Sequence, residues 1–151
     1  MGSGKSTVGS LLEKELEETA ILEIEDIRKL VTGNEDNSLA WRIIYRMCEE
    51  YLKNGVSVLL KQTVASRELV NKFLRLAKRH DCHVNFYHFQ APKNELLKRI
   101  RQRQKSRPPR ALLTINIEKH ENVHYPTATI INTQQLRANE IARLILLDSK
   151  Q

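Results

Sequence analysis

The sequence predicts an α/β domain built on a mainly parallel sheet, and three observations carry that prediction. Short β-prone runs alternate with amphipathic helical segments along the chain. The chain opens Gly-Ser-Gly-Lys-Ser-Thr and passes straight into a helical repeat of apolar residues. Its 151 residues, with neither an internal repeat nor a Pro/Gly/Ser-rich linker, fit one domain large enough to bury a core.

Taken in order, Lys5 to about Glu18 is a helix with Val8, Leu11, Leu12 and Leu16 on one face and glutamates mostly on the other. Residues 20–25 (AILEIE) form a short strand, and residues 26–33 (DIRKLVTG) begin a helical turn that Gly33 ends. A helix runs from Ser38, its N-cap, to Asn54, with Trp41, Ile44, Tyr45, Cys48 and Leu52 at helical spacing and Gly55 as the stop. Residues 56–60 (VSVLL) are a buried strand. Ser66 caps a helix that turns Val70, Phe73, Leu74 and Ala77 inward. Residues 82–89 (CHVNFYHF) form an aromatic-rich strand, and Pro92 starts a helix continuing to about Arg103. Two adjacent prolines make SRPPR a loop. A short helix over 114–122, a strand over 127–132 (TATIIN) and an amphipathic helix over 136–147 complete the chain.

Hydrophobic content of 40% and charged content of 28% are those of an ordinary globular protein. The longest apolar runs are far too short to cross a bilayer, which excludes a helical membrane protein. No apolar signal segment opens the chain, so the cytoplasm is the expected compartment. Cys48 and Cys82 lack metal or redox spacing, and the five histidines form no ligand cluster. The net charge is +7, and the stretch between Glu95 and Glu118 alone holds seven cations and no acid (Lys98, Arg99, Arg101, Arg103, Lys105, Arg107, Arg110). Such a block suits phosphate, whether of a nucleotide or of a nucleic acid.

The opening reads as the second half of a phosphate-binding P-loop, G-x-x-x-x-G-K-[S/T]. Glycines at 2 and 4 let the backbone N–H groups of Gly2, Ser3 and Gly4 converge on a phosphate, and the following helix points its positive end there. In this reading Lys5 reaches the β- and γ-phosphates, the Ser6 hydroxyl holds Mg²⁺, and Thr7 serves the α-phosphate.

Beyond that loop, LEIEDIRKL (22–30) resembles the small P-loop kinases: adenylylsulfate kinase, shikimate kinase and the zeta-toxin or polynucleotide-kinase type. In that group an Asp closes the second strand and an Arg follows. Asp26-Ile27-Arg28 matches, which implies Asp26 as base or water-mediated metal ligand and Arg28 as grip for an anionic acceptor. APKNELLKRIRQR (91–103) is similar to adenylate-kinase-like proteins, placing Arg99 and Arg103 where arginines flank the nucleotide at the base of a lid. The lid would be residues 105–113, within RQKSRPPRALL, with Arg107 closing on the transferred phosphoryl group. TIINTQQL (129–136) resembles the segment that passes beside the adenine, which implies backbone contacts from Thr133 and Gln134.

The resemblance implies a three-layer sheet of order 2-3-1-4-5 with helices on both faces. Against that pattern the first P-loop glycine and the central first strand have no counterpart from Met1 onward, so about five apolar residues and Gly-x-x are expected upstream. The third strand of many zeta-toxin relatives ends in Asp. Here VLLKQT puts Lys61 in that place, where it would either bind an acceptor phosphate or simply end the strand in solvent. The expectation is one domain over 1–151 that uses ATP and Mg²⁺ to phosphorylate a small anionic metabolite, a nucleotide or a nucleic-acid end. The competing expectation is a nucleotide- or nucleic-acid-binding P-loop protein without turnover. No aromatic residue interleaves the basic stretch, which disfavours a dedicated single-strand binder.

Overall fold

The computed structural model describes residues 3–30, 37–62, 64, 66–102 and 128–149. Gly2, Arg103, Arg107, the lid at 105–113 and the helix expected over 114–122 lie outside the described residues. The elements in chain order are α1 (Lys5–Glu15), β1 (Thr19–Leu22), α2 (Ile24–Lys29), α3 (Asn37–Lys53), β2 (Ser57–Leu60), α4 (Arg67–Arg79), β3 (Tyr87–Gln90), α5 (Lys93–Gln102), β4 (Thr129–Asn132) and α6 (Ala138–Asp148). Helices separate the strands, and both strand pairs are parallel: β1 with β2 in register Leu22↔Leu60, and β3 with β4 in register Gln90↔Asn132. The α/β class and the parallel pairing match the expectation, as do the two neighbour relations, second with third and fourth with fifth.

The chain divides into two compact units. In the first, α1 packs against α6. Val8, Gly9 and Leu12 form the buried face of α1, and Ile141, Ala142 and Ile145 that of α6. Leu96 and Ile100 of α5 and Ile131 of β4 complete its buried apolar set among the described residues. In the second, Leu22, Ile24, Ile27, Ala40, Ile44, Cys48 and Leu76 make one continuous core. Phe73 of α4 packs on Trp41 and Tyr45 of α3 at ring separations of 6.0 and 5.7 Å. Burial lifts the Cys48 thiol to about 11, so it is a packing residue.

Helix ends follow local chemistry. Gly55 takes φ +71, and the amides of Gly55 and Val56 bond back to Leu52 and Tyr51 at 3.1 and 3.0 Å, closing α3 where the sequence predicts its stop. Asp81 does the same for α4 with φ 53, and the Cys82 amide returns to the Ala77 carbonyl at 2.9 Å. Several boundaries differ from the sequence expectation. α1 stops at Glu15 and not near Glu18, whose backbone takes φ 48. β1 stops at Leu22, because Ile24 is needed in the core and turns there on α2 rather than on an extended strand. β3 begins only at Tyr87, opposite the first residue of β4, since strand length is set by the partner and not by local β-propensity. α6 begins at Ala138 because residues after Asn132 form a turn first. Among the described residues, no helix is long and apolar enough to cross a membrane.

Candidate functional site

The first unit carries the phosphate loop. Gly4 sits at φ +88, in the left-handed region that glycine favours, and from it the chain turns into α1 with Lys5 as the first helical residue. The Gly4 carbonyl accepts the Val8 amide at 3.0 Å, so the first turn closes over Ser6 and Thr7, whose side chains stay exposed. Val8 and Gly9 then bury the next turn and, with Leu12, anchor α1. His88, in β3, is held below the usual imidazole range by burial and, after that, by the positive charge of Lys5.

At the carboxyl ends of β3 and β4 the sequence-predicted residues Arg99 and Thr133 come together. Arg99 Nε donates to Glu95 Oε1 at 2.8 Å, one helical turn back on α5. Its Nη1 donates to Thr133 Oγ1 at 3.1 Å and its Nη2 to the Thr133 carbonyl at 2.8 Å. Thr133 is only 6% exposed. Its amide and hydroxyl both donate to the Gln90 carbonyl, at 2.8 and 3.1 Å, which extends the β3–β4 pairing by one residue. Gln134 follows on the surface, its amide bonded to Asn132 Oδ1 at 3.0 Å.

The second unit carries the residues expected to face an acceptor. Asp26 does not close a strand. It lies inside α2, 63% exposed at its side chain, and pairs with Lys29 at 2.7 Å, a hydrogen bond that raises the lysine above its ordinary range. Arg28 pairs locally with Glu25 at 3.1 Å. Lys61 does follow directly on the end of β2, its amide bonded to the Leu22 carbonyl at 3.0 Å. Its ammonium meets Glu23 Oε1 at 2.6 Å, and the two side chains are only 13% and 26% exposed. Glu23 is the carboxylate that ends β1, a residue the sequence reading placed inside a longer strand. Although it occupies the N-cap position of α2, its side chain makes no cap hydrogen bond. Its signal in the sequence was its place directly after the apolar run AIL.

Both strand pairs thus carry their polar residues at the carboxyl ends, the edge at which open α/β sheets hold ligands. Among the described residues, no group of three or more His, Cys, Asp or Glu side chains could hold a metal ion. The loop offers what Mg²⁺ bound with a nucleotide needs from the protein: an exposed hydroxyl, Ser6, one residue after the loop lysine.

A family model described as an AAA domain matches residues 1–124. A search of curated proteins gives no match. Among solved structures, the fold resembles that of a tunicamycin resistance protein from Deinococcus radiodurans, with a TM-score of 0.70 over 98% of this chain and 90% of that one. The two are 17% identical, so the likeness concerns the fold alone.

Proposed function

Because the chain belongs to the AAA domain family, whose P-loop binds nucleotide, we propose that it is a phosphotransferase that uses ATP with Mg²⁺. Its acceptor is a hydroxyl on a small anionic metabolite, a nucleotide or a nucleic-acid end. The observation that carries this reading is the loop geometry: Gly4 at φ +88 delivers Lys5 to the first position of α1, with Ser6 and Thr7 exposed beside it.

Backbone N–H groups of residues 2–4 and the Lys5 ammonium bind the phosphate oxygens and hold the γ-phosphoryl group for transfer. Ser6 would hold Mg²⁺, which would supply neutralisation of the phosphate charge. Arg99, Thr133 and Gln134 serve the nucleoside side. Arg28 and Lys61 hold the anionic part of the acceptor, and Asp26 receives the hydroxyl proton. The acceptor oxygen bonds to the γ-phosphorus, the bond from that phosphorus to the bridging oxygen breaks, and ADP leaves with the electron pair. Arg103 and Arg107 stabilise the charge that develops on the moving oxygens. The reaction belongs in the cytoplasm, where ATP is available, and the whole chain acts as one domain.

The test offers γ-labelled ATP and Mg²⁺ to the full chain with three acceptor panels: nucleoside monophosphates, 5′-hydroxyl oligonucleotides and hydroxy acids. Label transferred to a member of any panel, and lost in Lys5→Ala, is the expected result. Tight ATP binding with transfer to none of them would favour the rival reading, a nucleotide-binding protein without turnover.

A further inference from the structure

We infer that Arg99 is a positioning residue and not a phosphate clamp: it sets the base selectivity of the nucleotide site by fixing, through Thr133, the turn that follows β4. The inference deepens the nucleotide-binding reading above and rests on it.

A guanidinium has five N–H donors in a fixed fork. Three of those on Arg99 are committed, one to Glu95 and two to the carbonyl and hydroxyl of Thr133. Swinging onto a phosphate would strip the buried Thr133 carbonyl of its donor and break the link between α5 and the end of β4. An arginine held by both edges of one threonine is built to stay.

What it holds has a definite chemical face. From Thr133 to Arg137 every backbone N–H is already used. Thr133 N–H goes to Gln90 O, Gln134 N–H to Asn132 Oδ1, and Arg137 N–H to Glu140 Oε2 at 2.6 Å. The amides of Gln135 and Leu136 both go to Asn132 O at 3.3 Å. The carbonyls of Gln134, Gln135 and Leu136 accept no hydrogen bond from the described residues. The backbone of this turn therefore presents acceptors only, at the carboxyl end of a parallel pair where ligands lie. It suits a base edge that donates, such as the amino group of adenine, and meets the carbonyl edge of guanine with like against like. Arg99 keeps those acceptors in place without touching the base.

The experiment titrates adenosine, ATP and GTP (the nucleotides with Mg²⁺) into the full chain and its variants, and measures amide hydrogen exchange of the turn. The unmutated chain should prefer ATP to GTP. Arg99→Met and Thr133→Val should each cut that preference at least fivefold, and should weaken adenosine and ATP by the same factor. Arg99→Lys keeps the charge but cannot span both Thr133 acceptors, so it should behave like the methionine variant. In Arg99→Met the amides of Gln135 and Leu136 should exchange at least tenfold faster, with that of Ile141 unchanged. A loss of ATP and GTP in equal measure with adenosine untouched would overturn the inference in favour of a phosphate clamp. Full rescue by lysine, or unchanged exchange in the turn, would overturn it as well. If the unmutated chain bound none of the three ligands, the nucleotide reading would fall, and the selectivity claim with it, whatever the exchange data showed.

Discussion

Replacing Tyr87 by phenylalanine tests how the first unit secures the helix behind its phosphate loop. Tyr87 Oη donates to Asp148 Oδ2 at 2.5 Å, and Asn85 Nδ2 donates to the Asp148 carbonyl at 3.4 Å. Asp148 is the last residue of α6, with no basic residue in that last turn, so its carboxylate faces the negative end of the helix dipole. The tyrosine hydroxyl makes the position tolerable and ties α6 to β3. Since α6 packs on α1, the tie also steadies the helix that begins at Lys5. A hydrogen bond to a charged acceptor contributes about 1.5–3 kcal/mol, and a part-buried one belongs at the low end, about 1.5 kcal/mol. For a chain of this length that is a fall in Tm of about 3–6 °C. Burial, then the hydrogen bond to Asp148 and its charge, hold the Tyr87 hydroxyl well above the usual phenol range. The unfolded tyrosine ionises near about pH 10. The contribution is therefore complete below that pH and is lost as the pH rises toward the folded value. Urea denaturation of both proteins should show a constant gap from pH 7 to 9, narrowing above about pH 10. A gap that keeps its size to pH 11, or no gap at pH 8, would refute the reasoning.

Lys5→Ala should abolish ATP binding in a titration, whereas Arg107→Ala should mainly slow turnover, because the loop lysine meets phosphate in the ground state and a lid arginine acts on closure; equal loss of affinity in both would contradict that division. Binding to random DNA or RNA should be weak and vanish near physiological salt. A slope of log affinity against log salt near about −5 to −6, with no protection of residues 106–113 from protease by ATP and Mg²⁺, would replace the kinase reading by a nucleic-acid groove. Lys61→Met leaves the Glu23 carboxylate half-buried and alone and should destabilise the second unit by about 1–3 kcal/mol. The double variant Lys61→Met, Glu23→Leu should recover most of that loss, since an apolar pair of like volume replaces a buried ion pair at little cost. Cys48 should react with a thiol reagent at least about tenfold more slowly than Cys82 at pH 8, as expected of a buried thiol shifted upward.

What the sequence made legible was everything governed by neighbours along the chain. The helical spacing of Trp41, Ile44, Tyr45 and Cys48, the stop at Gly55 and the turn from Gly4 into Lys5 are local matters, decided by side-chain period and by glycine's access to positive φ. What it hid were the ends fixed by distant partners. Nothing in CHVNFYHF says that pairing starts only at Tyr87, because that depends on where β4 begins, some forty residues later. The sequence points to Arg99 and Thr133 as separate contacts to a nucleotide. That each is the other's partner depends on a separation of 34 residues, which no periodicity encodes. Asp26 lies on α2 and not at a strand end for the same kind of reason: the alternating run AILEIE continues the strand pattern past Leu22, while the core draws Ile24 and Ile27 together on a helix.

The strand-end charges of the second unit then take on a different sense. The resemblance led one to expect an acid at the end of the third strand, and the lysine found there looked like a departure. Lys61 does not stand in for that acid. It sits beside one, because the parallel register Leu22↔Leu60 makes Glu23 and Lys61 the next residues across from each other. A lysine as little exposed as this is rarely held without a counter-charge, and the carboxylate supplying it forgoes capping α2 to do so. The exposed pairs of Asp26 and Arg28 reach only three residues along one helix and fix nothing beyond it. The Glu23–Lys61 pair instead locks two strand ends at the edge where a ligand would approach. The second unit therefore carries a carboxylate at the end of β1 whatever the role of Asp26, and that carboxylate is already paired with Lys61.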